Sequence, residues 1–212
     1  MKTRLSTLLV VGLMLAVPAT AQEPEQMFDF YGHAIVPTGE VGQMLTLYST
    51  IQEGGSPTVE TPLPLDFDNY DYTLVITDLE LVNISGSPFI QTFEYAGGTI
   101  AIYEDNATVA DYDNAPATFV DGTAILTGVV DITRTVFVMQ GSVAGGGFVD
   151  WTGGTRLNDF AIEDQTGWPF LCAYNADDAW PGYDEAWDGK VEPTDPIVST
   201  EDISWGSLKS LY

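Results

Sequence analysis

Residues 184–195 read DEAWDGKVEPTD and carry oxygen donors at a spacing suited to a hard cation. A twelve-residue calcium loop places oxygen ligands at positions 1, 3, 5, 9 and 12, a glycine at 6 to turn the chain and an aliphatic residue at 8. Asp184, Asp188, Gly189, Val191, Glu192 and Asp195 occupy positions 1, 5, 6, 8, 9 and 12, while Ala186 supplies no side-chain oxygen at 3. The expected metal ligands are therefore Asp184, Asp188, Glu192 and Asp195, with Ca2+ as the ion. The plainer alternative is a solvated acidic turn bent at Asp188-Gly189. Two further carboxylate groups, Asp66/Asp68/Asp71 and Asp111/Asp113/Asn114, could also attract cations.

Other chemistries are poorly supplied. His33 is the sole histidine and Cys172 the sole cysteine, so histidine or thiolate zinc sites and an intramolecular disulfide are excluded. No serine sits in a Gly-x-Ser-x-Gly turn, and no catalytic residue is assigned. His33 is expected to be structural, and Cys172, within the apolar run Phe170-Leu171-Cys172-Ala173, to be a small buried hydrophobe. Carboxylate-only glycoside hydrolysis would need two acids at a defined gap. Trp151, Trp168, Trp180, Trp187 and Trp205 all fall in the last third of the chain, several beside acids, as sugar stacking would use. The same rings would equally fasten loops onto a core.

Charge and leader bound the compartment and the partners. The chain carries 31 acidic and 6 basic residues, a net charge of −25. Such a surface repels nucleic acid and anionic membranes and draws cations or basic surfaces. Residues 1–21 have a basic start (Lys2, Arg4), an apolar run from Leu8 to Val17 and Ala19-Thr20-Ala21 before Gln22. That is the form of a signal peptide, implying a secreted, extracellular or periplasmic product with no membrane insertion of the mature chain. A hydrophobic content of 45% argues for a folded rather than a disordered acidic chain.

The elements that must position these groups follow a period-two rhythm rich in Val, Ile, Thr, Tyr and Phe. Strands are expected at 27–36, 43–51, 72–83, 89–95, 99–104, 117–133, 135–139, 148–151 and 168–174. Gly54-Gly55, Gly97-Gly98, Asp121-Gly122 and Gly145-Gly146-Gly147 read as turns between them. From Ala124 the even positions read Ala, Leu, Gly, Val, Ile, which marks one face as drier. The apolar register changes from Leu74 and Ile76 to Leu79 and Leu81, predicting a bulge near Thr77-Asp78. The expected fold is all-β, a single antiparallel β-sandwich of jelly-roll type, with an eight-stranded outer-membrane barrel as the architectural rival. The domain reading is a signal peptide at 1–21, the sandwich at 22–174, and an irregular acidic loop plus a short terminal helix at 175–212. That helix would start at Ser199 and present Trp205, Leu208 and Tyr212 on one face.

Two resemblances bear on this reading. Trp187 to Asp195, followed by Leu208-Lys209, resembles half of a dockerin repeat, an EF-hand-like secreted calcium module, though a dockerin carries two such loops. Gly97 to Asp105 and Thr118 to Gly128 are similar to segments of uncharacterised secreted bacterial β-sandwich proteins, which implies no activity. The sequence thus points first to a secreted acidic binding or structural protein, calcium-stabilised, with cations and a protein partner or extracellular glycans as its contacts. A carbohydrate-active protein, either a sugar-binding module or a small carboxylate-dependent glycoside hydrolase, is the second reading.

Overall fold

The computed structural model describes residues 25–26, 28–37, 39–52, 59–60, 63, 65–138 and 142–193. Eight antiparallel strands form a closed barrel: β1 (Phe28–Ile35), β2 (Met44–Ile51), β3 (Asp71–Gly86), β4 (Ile90–Asp105), β5 (Thr123–Phe137), β6 (Ser142–Gly153), β7 (Trp168–Asn175) and β8 (Glu185–Val191). Each strand pairs with the next in sequence, and β8 pairs with β1 from Glu185↔Ala34 to Val191↔Phe28. A two-residue parallel ladder joins Glu25–Gln26 to Val59–Glu60. Apart from strands, the described residues form only turns, loops and three 3-10 turns.

This closure corrects the expected sandwich. A sandwich leaves sheet edges, whereas β8 is bonded on one side to β7 and on the other to β1, so the sheet has none. The closing strand lies in the segment expected to be an irregular acidic loop. Its inward positions are Glu185, Trp187, Gly189 and Val191, a pattern in which one acid and one glycine hide the alternation. The glycine signals also misled. Gly97-Gly98 lies inside β4, so the strands expected at 89–95 and 99–104 are one, and Gly145 to Gly147 lie inside β6 rather than in a turn before it. An added Cβ at Gly98 would meet the Leu79 side chain, and one at Gly147 the Asp131 carbonyl oxygen, so neighbouring strands come too close for any larger residue. The predicted bulge is present: Leu45 pairs with Leu79 and Leu47 with Ile76, leaving an extra residue on β3, and Asp78 adopts a left-handed φ of 56°. The terminal-helix segment lies outside the described residues.

Apolar side chains fill the barrel, as expected for eight strands. Phe28 stacks on Trp168 at 6.0 Å, Trp151 meets Trp168 edge-on at 5.8 Å, and Phe30 stacks on Phe170 at 5.4 Å. Full burial of a ring such as Phe28 or Phe30 stabilises the fold by about 1.5–3 kcal/mol each. The outward face is mixed: Asp29, Tyr31, Thr46, Thr50, Thr127, Asp131, Asp188 and Lys190 alternate with the buried set.

The two ends differ. At one end Leu63, Phe67, Tyr70, Leu157 and Phe160 pack across the core and cap it. At the other, β3, β4 and β5, of 16, 16 and 15 residues, run past their shorter neighbours, and residues 82–90 of the projecting hairpin are all exposed.

Candidate functional site

β5 carries a cation on its drier face. The alternation that buries Leu126, Val130 and Ile132 also turns Arg134 inward, where its side chain is 3% exposed. A guanidinium survives there only if its charge and donors are answered. Arg134 Nη2 donates to both oxygens of Glu185, at 2.6 and 2.7 Å, and Nη1 donates to the Tyr95 hydroxyl at 2.9 Å. Trp187 Nε1 donates to Glu185 Oε2 at 3.0 Å, so the carboxylate is held from two sides.

Four rings enclose the guanidinium. Its central carbon lies 4.5 Å from the Tyr174 ring centroid, 5.7 Å from Tyr95, 5.8 Å from Trp187 and 5.9 Å from Phe93. Tyr174 and Trp187 are themselves stacked at 4.9 Å. Burial opposes the charge on Arg134, but the oxygens of Tyr174, Glu185 and Tyr95 outweigh it and hold the pKa above its ordinary value. Burial pushes the Tyr174 hydroxyl up as well, so it stays protonated. Arg134 Nε, by contrast, is buried without a hydrogen-bond partner. An unanswered buried donor of this kind costs about 1–3 kcal/mol.

Phe93 connects this box to the open end. It forms one wall of a cleft of about 360 Å3, together with Ile84 and Gln91 of the projecting hairpin and Pro37 and Gly39 of the β1–β2 loop. The register explains the grouping: Ile84 pairs with Phe93, and Phe93 with Arg134, so one level of the barrel carries the cleft wall and the cation. Nine of the sixteen exposed large apolar residues among those described lie at the end that holds the cleft: Ile35, Val41, Met44, Val82, Ile84, Phe89, Ile90, Phe137 and Val138, of which Ile84 lines the cleft itself.

The acids chosen from sequence lie elsewhere. Asp188 lies in β8 and Asp184 and Glu192 flank its two ends, so at about 3.3 Å per residue the outer two are about 26 Å apart. Asp184 Oδ2 accepts the Val36 N–H at 2.8 Å, and Glu192 pairs with Lys190 at 2.8 Å. Gly189 makes no turn; it pairs with Phe30 and Cys172. Asp195 lies outside the described residues. Among those residues no group of three or more His, Cys, Asp or Glu side chains is placed to hold a metal ion. Asp66 and Asp111 are engaged in local turns, accepting from the side chains of Asn69 at 2.7 Å and Asn114 at 2.6 Å.

His33 and Trp180 belong to a second aromatic group on the outer face of β1 and β2. His33 Nδ1 accepts the Trp180 backbone N–H at 3.2 Å, its ring lies 4.5 Å from Tyr112, and Trp180 Nε1 donates to Asp113 at 2.9 Å. These contacts fasten the 112–119 and 179–184 segments to the barrel wall. Burial lowers the His33 pKa, favouring neutral imidazole. Cys172 is free and buried, and burial pushes its thiol up to about 12, which leaves it inert.

Sequence reasoning passed over Arg134, although a signal existed: extending the even-numbered dry face of β5 by one step places an arginine on it. No protein-family model, curated protein or solved structure matches this chain.

Proposed function

We propose that this is an exported binding barrel, not an enzyme, which receives an apolar ligand at its open end. The observation that carries the reading is the concentration of exposed apolar side chains at the end of the barrel that holds the cleft. Scattered surface hydrophobes are ordinary, but a contiguous group beside a concavity marks an interaction site. A volume of about 360 Å3 suits a small molecule of one or two rings.

Two features support a barrel that works in water. Its interior is packed with rings, and its outward positions carry Asp29, Thr50, Thr127, Asp131, Asp188 and Lys190, where a lipid-facing barrel needs an unbroken apolar band. The leader-like residues 1–21 support export. The net charge of −25 favours a neutral or cationic ligand over an anionic one.

Fluorescence titration with N-phenyl-1-naphthylamine, a neutral apolar probe, tests the reading. Saturable binding that Ile84→Asp weakens at least about tenfold is expected, since a carboxylate in the cleft must be desolvated by the bound probe. Ile84 is exposed, so that substitution leaves the barrel folded. Unsaturable signal, or equal binding by the variant, contradicts the reading. A sugar-binding role has one observation in its favour: Trp180 is 40% exposed, with Asp113 on its edge. A glycan array separates the two, since sugar recognition would be lost on Trp180→Ala and untouched by Ile84→Asp.

A further inference from the structure

We infer that the ligand of the open end carries a neutral hydrogen-bond acceptor oxygen, which is taken up by Arg134 Nε behind the ring of Phe93. This rests on the binding reading above and adds the chemical class of ligand.

The argument begins with an inconsistency inside the aromatic box. Nη1 and Nη2 of Arg134 are both answered, by Tyr95 and Glu185, yet Nε has no partner although the side chain is almost wholly buried. A packed core keeps few such donors, and one left open beside a cavity is a place where an acceptor gains more than it would in water. One residue separates Nε from the cleft: Phe93 both lines the cleft and packs against the guanidinium. Uptake of the acceptor therefore requires the Phe93 ring to turn aside.

Electrostatics then selects the kind of acceptor. Glu185 already neutralises Arg134 through two short bonds, and the chain is strongly acidic as a whole. A carboxylate or phosphate entering here would meet a fixed carboxylate and a repulsive field, whereas a ketone, ester or ether oxygen meets only the free N–H. The walls contributed by Ile84, Pro37 and Phe93 suit the apolar remainder of such a molecule.

Naphthalene, 2-acetylnaphthalene and 2-naphthoate form a matched series that differs only in the head group. The ketone should bind about tenfold more tightly than naphthalene, the scale of one hydrogen bond from a charged donor, and 2-naphthoate should bind more weakly than the ketone. Arg134 and Arg156 are the only arginines beyond residue 21, so a mature chain gives two Nε–H resonances in a nitrogen-15 spectrum. The Arg134 resonance should move with the ketone and stay in place with naphthalene. The double substitution R134M/E185M, which removes both charges together, should bind naphthalene and lose the preference for the ketone. Naphthalene and ketone binding alike, or an unmoved Arg134 resonance with the ketone bound, overturns this inference and leaves the apolar-ligand reading standing. Failure of all three compounds to bind overturns both.

Discussion

Arg134 and Glu185 show why a single residue is a poor unit of account inside this barrel. Removing one partner strands the other charge among four rings, so Glu185→Gln or Arg134→Met should each cost about 3–5 kcal/mol in urea denaturation. Replacing both, in R134M/E185M, should cost far less than the sum of the single changes. His33 supplies a second test at this scale. Its pKa is lowered in the fold, so the folded protein resists a proton that the unfolded chain accepts near pH 6.5. Its contribution is complete above about pH 6.5 and is lost as the pH falls below that value towards the folded pKa. Stability measured between pH 7.5 and 5.5 should therefore fall more steeply with acid in the wild type than in His33→Gln, with parallel curves as the contrary result. At this scale the sequence was legible where bulk chemistry decides: a lone cysteine in an apolar run is buried, and a lone histidine packs among rings. The calcium spacing is one of a loop, whereas residues 185–191, which carry Asp188 and separate Asp184 from Glu192, are extended; Asp195 lies outside the described residues.

Among the elements, the bulge on β3 was readable because a bulge shifts the apolar register of one strand and leaves that shift in the sequence. The continuity of β4 and the glycine-borne first half of β6 were not, because glycine serves both turns and close strand approach. Adjacent glycines of β6 separate the two uses. Gly147 faces inward against the Asp131 carbonyl oxygen, so Gly147→Ala should destabilise by about 1–3 kcal/mol through backbone displacement. Gly146 faces outward with no neighbour closer than 3.6 Å to an added Cβ, so Gly146→Ala should be neutral or stabilise by up to about 1 kcal/mol. Thermal melts of the two variants compare them directly, and equal melting temperatures would contradict the register described. Strand β8 was missed for a related reason. Its inward alternation includes Glu185, an acid that is tolerable there only because Arg134, 51 residues earlier in the chain, faces it. Such a partnership is long-range and leaves no local mark.

At the scale of the whole molecule, the sequence indicated an all-β chain but not its closure, since strand rhythm is the same in a sandwich and a barrel and only the pairing of β8 with β1 distinguishes them. The barrel is also asymmetric, and the proposed binding rests on that: one end is capped by Leu63, Phe67 and Phe160, while among the described residues the other holds a cleft beneath a projecting hairpin with exposed apolar residues. The central claim is that the open end is the binding end. Backbone amide shifts mapped during titration with N-phenyl-1-naphthylamine test it most directly. The account predicts that shifts concentrate in residues 35–44, 82–93 and 134–138. Shifts centred instead on the capped end or on the Trp180 face, or none at saturating probe, would contradict it.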